Sequence, residues 1–361
     1  MREFILRKTS FESYIDFNGE KVFESATVDT SITTFSKTPP TPSHQVFFFS
    51  CSDYSTLSSP CFDSLPQNSL STQTLTFSSS SIMALKEKIE RVGTPLKEWD
   101  ISIFRGVLTG YNDAFIIDTP TRDKILSKCK TQEERKATEQ IIKKMLRGRD
   151  IKRYSYEWAD LWLIGTFPSL KLNINDYPSL KSYLSKFRPR INQSGEKGCR
   201  KKTSNQWFET QDSIAYYGEF EREKIVYPET TQGAYFVFDD KQVVLEKTTF
   251  FMCGENLKYL QAILSSKAGL FFYKTFSQGC VLGDKGFQYN KHALENFYAP
   301  KITESNQPTA DKIIALVEKI LALKESDPKS DTQELESQID SLVYALYNLT
   351  DEEIKIIEEG R

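Results

Sequence analysis

The stretch that most restricts the fold is Arg147–Trp162, RGRDIKRYSYEWADLW. Gly148 stands where a preceding helix has to stop. Tyr154, Tyr156, Trp158 and Trp162 follow at even spacing, which puts them on one face of an extended segment. The chain must therefore turn here and pass from helix to strand. The same stretch carries Arg147, Arg149, Lys152 and Arg153 against one nearby acid, Asp150. Two readings fit. Cations beside aromatics suit a surface that meets phosphates and bases, the cations neutralising the backbone and the rings stacking or packing. A helix end with a basic last turn, favoured by the helix dipole, followed by an ordinary strand, also accounts for these residues.

What surrounds the stretch bears on the choice. The chain has 361 residues, more than one ordinary domain needs. Its formal net charge of −2 gives no global basic field, yet the charge is uneven. Lys143–Arg153 holds six basic residues and one acid, and Lys186–Lys202 holds seven and one. From Glu304 to Arg361 there are fourteen acids and six basic residues. The six cysteines have no CxxC spacing and no neighbouring histidine, which argues against a zinc site and fits reduced thiols in a cytoplasm. No secretory signal is apparent and the longest apolar run is far short of a membrane span, so no membrane partner is expected. The two histidines, His44 and His292, have no candidate triad partner in sequence.

In chain order, Met1–Lys8 reads as the tail of a helix, and Tyr14–Phe17 and Val28–Phe35 as strands. Two strands and a helical stub bury no core of their own. This start is therefore expected to be the edge of a larger sheet whose partners precede it. Residues 50–81 are rich in Ser and Thr but carry recurring apolar residues, and read as an irregular connection with short strands. A helix follows with Ile82, Leu85, Ile89 and Val92 on one face, ended by Gly93 and Pro95. Ile101–Phe104 and Ala114–Ile117 read as strands. A capping box, Thr131 with Glu134, starts a helix that runs through Ile141, Ile142, Met145 and Leu146 to Gly148. Leu161–Ile164, Lys224–Tyr227, Ala234–Phe238, Val243–Leu245 and Thr248–Met252 read as strands. Pro178 opens a helix, and Asn256–Lys274 reads as one apolar helix. Residues 188–202, with Gly195 and Gly198, read as a mobile basic loop. After a short extended exit at Tyr298–Ile302, capping signals at Thr309, Asp331 with Glu334, and Thr350 with Glu353 mark a helical hairpin with an acidic outer face.

Five segments together carry a resemblance: Phe104–Asp118 (FRGVLTGYNDAFIID), Leu146–Tyr154 (LRGRDIKRY), Trp207–Pro228 (WFETQ…KIVYP), Leu260–Leu264 (LQAIL) and Ile339–Ile357 (IDSLVYALYNLTDEEIKII). They resemble the C-terminal specificity region of TaqI-like adenine-N6 DNA methyltransferases, more closely those fused to nucleases as type IIG restriction–modification enzymes. Ile15-Asp16-Phe17 and Val22–Thr30 look like the last strands of the methyltransferase domain of the same family. The resemblance implies that Phe23 stacks on the target adenine once it is flipped from the duplex, where a flat apolar surface replaces lost stacking. A core aromatic on an edge strand is the other reading.

The full-length family uses S-adenosylmethionine, held by a Gly-rich turn, and an Asn/Asp/Ser-Pro-Pro-Tyr/Phe motif for the target amine; its nucleases bind Mg²⁺ through Asp and Glu-x-Lys. Thr38-Pro39-Pro40-Thr41 lacks the amide or carboxylate before the prolines and the ring after them. Glu353-Ile354-Lys355 has the nuclease spacing but falls in a C-terminal helix. No catalytic residue, cofactor or metal is therefore expected in this chain, which alone should be inactive. The DNA-reading candidates are Arg105, Thr109, Asn112, Arg147, Arg149, Lys152, Arg153, Tyr154, Arg188, Arg190, Arg200, Lys201 and Lys202. Arginine can bond a guanine edge and asparagine an adenine edge, whereas lysine mostly finds phosphate.

The expected fold is α+β. It comprises a remnant edge of an α/β methyltransferase sheet (1–45), a connector with a helix (46–95), a mixed α+β target-recognition domain (96–303) and a C-terminal helical hairpin (304–361). The expected function is sequence-specific recognition of double-stranded DNA in a cytoplasmic restriction–modification system, with a separately encoded methyltransferase or nuclease half as a possible partner. A truncated or split gene product would have this form. An intact enzyme with an unrecognised site and a protein-interaction subunit working through the acidic tail are the alternatives.

Overall fold

The structure, a computed structural model, describes residues 1–17, 22–24, 30–51, 54–70, 72, 75, 77–277, 280, 282 and 286–359. Among these the architecture is α+β, with three four-stranded sheets, two two-stranded ribbons and no barrel.

The central sheet runs Val237–Asp239, Lys224–Pro228, Thr249–Gly254, Ile101–Arg105, with every neighbouring pair antiparallel. Successive side chains of a strand point to opposite faces, and here each face meets a different core. Ile103, Ile225, Tyr227, Phe250 and Met252 enter the first. Val226, Val237, Phe251 and Cys253 enter the second. Lys224–Pro228 is consequently buried at every position, and within it Ile225–Tyr227 reads in sequence as a short continuous apolar run.

Helices Leu257–Ser265 and Lys267–Phe276 build the first core together with the C-terminal helices Gln307–Ser326, Gln333–Leu346 and Asp351–Glu359. The single helix expected over Asn256–Lys274 breaks at Ser266, whose backbone is extended and whose hydroxyl caps Gly269 N at 2.9 Å. The tail, expected as a helical hairpin from residue 304, packs onto the body: Ile313, Val317, Ile320, Ile339 and Val343 lie in the same core as the central sheet. The predicted capping box at its last helix forms in both directions: Thr350 N donates to Glu353 at 2.8 Å, and Glu353 N to Thr350 Oγ1 at 3.3 Å.

A second sheet, ordered Val244–Leu245, Ile142–Leu146, Leu161–Ile164, Ile116–Asp118, fills the other core with helices Thr119–Leu126 and Pro178–Ser185. The helix that begins after Thr131 ends at Ile141 rather than at Gly148, and Ile142–Leu146 is a strand. Its pairing with two neighbours, and burial of Ile142, Met145 and Leu146, outweigh the helical spacing of these residues. Residues 114–115 belong to the short helix Asn112–Phe115, and only Ile116–Asp118 is strand.

The N-terminal sheet, ordered Ser31–Ser36, Ser10–Asp16, Gln45–Ser50, Asp63–Pro66, has a small core of Leu6, Phe11, Val46, Phe48, Leu65 and Leu70. Two of its strands, Gln45–Ser50 and Asp63–Pro66, come from the stretch read as a connector, and the boundary expected after residue 45 falls inside the strand Gln45–Ser50. Buried Gln67 ties the unit together: it accepts from Phe11 N at 2.7 Å and donates to Leu6 O and Thr9 O at 3.0 and 2.8 Å. Val28 lies outside the described residues.

Candidate nucleic-acid interface

After the strand Ile142–Leu146 the chain makes a single 3₁₀ turn, Gly148–Asp150. Asp150 is buried and holds this turn, accepting from Arg147 N at 2.8 Å, Nε at 3.0 Å and Nη2 at 2.8 Å. That carboxylate also raises the Arg147 pKa. Arg147 thus closes a turn, and only Arg149 and Lys152 are left exposed. Gly148 permits a close approach to the end of the central strand, since a Cβ there would meet Pro228 Cβ at 3.3 Å.

The turn and that strand end enclose a recess of about 540 Å³. Gly148, Arg149, Ile151 and Lys152 form one wall; Pro228–Gln232, Tyr235 and Thr248 form the rest. Thr230, Gln232 and Thr248 are exposed in it. Glu229 accepts from Gln288 Nε2 at 3.1 Å and lies 3.6 Å from Arg105. Arg105 also donates to Lys247 O at 2.9 Å, which fixes its guanidinium beside this recess. Donors and acceptors are therefore both present, under a net positive rim.

The other candidates divide by burial. Tyr154 is fully buried in the first core, where desolvation raises its pKa, so it is not a surface ring. Arg153 pairs with Glu336 and donates to Ser265 O at 2.5 Å, pinning the tail to the body. Arg200 is 4 % exposed and donates to Ile191 O, Thr109 O and Trp207 O at 2.8, 2.8 and 2.9 Å. Its desolvation lowers the pKa to about 10, so it stays charged at neutral pH, but as an anchor and not as a DNA contact. The loop around it, expected to be mobile, is hydrogen-bonded through Arg200 N to Asn192 O and Gly195 N to Arg200 O at 2.9 and 3.1 Å. Thr109 is buried and donates to Asn112 Oδ1 at 2.6 Å, so this pair shapes a turn. Arg188, 4.9 Å above Trp207, and Arg190, bonded to Tyr111 Oη at 3.2 Å, remain exposed, as do Lys201 and Lys202. Phe23 exposes 53 % of its surface and is not a core residue. Glu353, of the Glu-x-Lys sequence, is committed to Thr350 and Lys88.

The recess sits where comparison with known proteins is most specific. Residues 143–297 match the TaqI-like C-terminal specificity domain. The chain is also 25 % identical over 279 residues to the type II methyltransferase M.PaeR7I of Pseudomonas aeruginosa, covering 76 % of this chain and 43 % of that protein. It thus spans less than half the length of this relative. The fold is similar to that of the type IIL restriction–modification enzyme MmeI, solved in complex with DNA, with a TM-score of 0.55 at 11 % identity over 98 % of this chain and 46 % of that one. The type IIG restriction endonuclease BpuSI gives a TM-score of 0.44 at 13 % identity, covering 96 % of this chain and 45 % of that one.

All the walls of the recess lie inside the specificity domain, whereas Arg105, Thr109, Asn112 and Phe23 lie outside it. Sequence reasoning missed Thr230, Gln232, Tyr235 and Thr248. The available signal was Glu229-Thr230-Thr231-Gln232, a polar turn directly after a buried strand that ends in proline.

Proposed function

We propose that this chain reads duplex DNA in a sequence-specific way, as the recognition part of an adenine-N6 restriction–modification methyltransferase. The observation that carries this reading is the recess of the specificity domain, which combines exposed Arg149 and Lys152 with Gln232, Thr230, Tyr235 and Glu229. Arginine can take a guanine edge, a glutamine amide an adenine edge, and a carboxylate the cytosine amine; lysine neutralises phosphate. The likeness to a type II methyltransferase supports the same reading. In it, exposed Phe23 stacks on the flipped adenine, a separately encoded or fused half supplies S-adenosylmethionine binding, methyl transfer and Mg²⁺-dependent cleavage, and the assembly works in the cytoplasm. The test is selection from a randomised duplex pool followed by anisotropy. A single sequence is expected to be enriched, and Arg149→Ala and Gln232→Ala should each relax one position at a cost of about 1–3 kcal/mol. Duplex binding without any enriched sequence, indifferent to both substitutions, would sink the proposal.

A further inference from the structure

A second recess, of about 180 Å³, lies between helices Thr119–Leu126 and Pro178–Ser185. Thr121, Lys124, Ile125 and Lys128 line it from one side; Ser179, Ser182, Tyr183 and Lys186 line it from the other. Both sets follow the 3, 4, 7 spacing that puts residues on one helix face. Two opposed faces therefore converge on one hollow, with the volume of about six waters at roughly 30 Å³ each.

Its chemistry differs from that of the first recess. No carboxylate lines it. The acids nearby are engaged elsewhere: Asp118 caps Thr121 N at 2.9 Å, Asp123 pairs with Arg122 at 3.1 Å, and Glu134 accepts from Ser179 N and Lys130 N at 2.9 and 2.8 Å. Among the described residues, Lys124, Lys128 and Lys186 have no ion-pair or hydrogen-bond partner for their ammonium groups. Lys186 only rests near the Tyr183 ring at 5.7 Å. Burial pushes the Tyr183 phenol up to about 12, so it keeps its proton and can donate. The helix dipole explains part of this. Cations are favoured at helix C-termini, but two helices offer only about −0.5 charge each, against three ammonium groups. An excess of about two positive charges is left facing a hollow that presents hydroxyl and ammonium donors and no ionised acceptor.

We infer that this recess binds a phosphate group of the DNA backbone and fixes the register of the duplex while the first recess reads bases. The inference rests on the DNA-reading function proposed above. The experiment compares the whole chain with a K124Q/K128Q/K186Q variant, all three residues being exposed, with circular dichroism as the folding control. Log affinity is measured against log salt for a preferred and a scrambled duplex, and inorganic phosphate is titrated separately by thermal shift. The expected result is a salt slope shallower by about 0.9 for each phosphate that is no longer neutralised, equal on both duplexes, with the preference ratio unchanged and the stabilisation by phosphate abolished. An unchanged slope, or a changed preference, overturns the inference while leaving DNA reading intact. If the native chain binds no duplex at low salt, DNA reading itself fails. Phosphate stabilisation that disappears in the variant would then mark a site for a small phosphate ligand and overturn the backbone assignment. The single variant K186Q should show a partial slope change if the groups act together.

Discussion

The central sheet and the N-terminal sheet each have four strands, but they are covered differently. In the central sheet both faces meet a core, and Lys224–Pro228 is buried throughout. In the N-terminal sheet one face carries Tyr14, Phe48 and Phe77 in mutual contact, while the other shows a row in which Ile32 pairs with Ile15 and Ile15 with Phe49. Phe47, two residues before Phe49, shares that face and is 50 % exposed; Ile32 is 49 % exposed. The charges differ in the same way. In the specificity domain the most deeply placed cations, Lys224 and Arg200, are fully committed to partners. Apolar exposure concentrates in the N-terminal sheet and buried polar order in the specificity domain. Stability and stickiness should therefore separate along the chain.

The largest effect should come from the deepest pair. Lys224 Nζ lies 2.6 Å from Asp239 with both side chains fully buried. Lys224 also donates to Phe220 O at 2.7 Å, and Asp239 accepts from Val243 N at 3.2 Å and Tyr156 Oη at 3.3 Å. Asp239→Ala leaves a buried ammonium unpaired and should cost about 3–5 kcal/mol. Replacing both partners by apolar residues should recover much of that loss. Thermal melts of the single and double variants check this; a single variant that melts with the native protein would break the comparison.

Next comes Arg200→Ala. Three carbonyls are deprived of a charged donor, and the expected loss is about 2–4 kcal/mol. The salt dependence of DNA binding should hardly move. Lys201→Gln with Lys202→Gln should do the opposite: stability unchanged within about 0.5 kcal/mol and a flatter salt slope. An exchange of these two outcomes would mean that burial does not separate structural from DNA-facing cations here.

In the N-terminal sheet, Leu65→Ala should cost about 2 kcal/mol, near the low end for such truncations because a small cluster can collapse into the space. Hydrogen exchange should rise within residues 1–77 and stay unchanged in Leu257–Ser265. If both regions lose protection together, the two sheets unfold as one unit.

The same contrast governs what was legible in the sequence. Local signals came through: Gly93 ends the helix Ser80–Val92, and Thr350 and Glu353 cap each other. Signals that depend on distant partners misled. Ile142–Leu146 has helical spacing, yet strands from residues 161–164 and 244–245 claim it. Arg200 sits in a basic run, and only the carbonyls of Thr109, Ile191 and Trp207 reveal that it points inward. Of the opening stretch, Arg149 and Lys152 line the recess, while Arg147, Arg153 and Tyr154 are spent on a turn, the tail and the core. The recess also needs residues 228–235 and 248, which no local pattern joins to residue 149. The N-terminal strands were legible as strands, but their partners at 45–66 were hidden by a Ser/Thr-rich connection.

The smallest effect on stability should accompany the clearest effect on association. Ser31–Ser36 is an edge strand with five of its six residues exposed and no Lys or Pro within it. Charges, prolines and bulges are the usual protection of such edges. With Ile32 and Phe47 also on the open face, the sheet offers an edge unpaired among the described residues together with an apolar surface, which promotes pairing and sticking. Ile32→Thr with Phe47→Thr places β-branched residues suited to strands at both positions and should shift stability by no more than about 0.5 kcal/mol, as for exposed positions generally. Sedimentation of the native chain should show concentration-dependent self-association that the double variant loses, with DNA affinity unchanged because the specificity domain is untouched. A native chain that sediments as a monomer at every concentration would show that this face is not sticky and would remove the main distinction drawn between the two sheets.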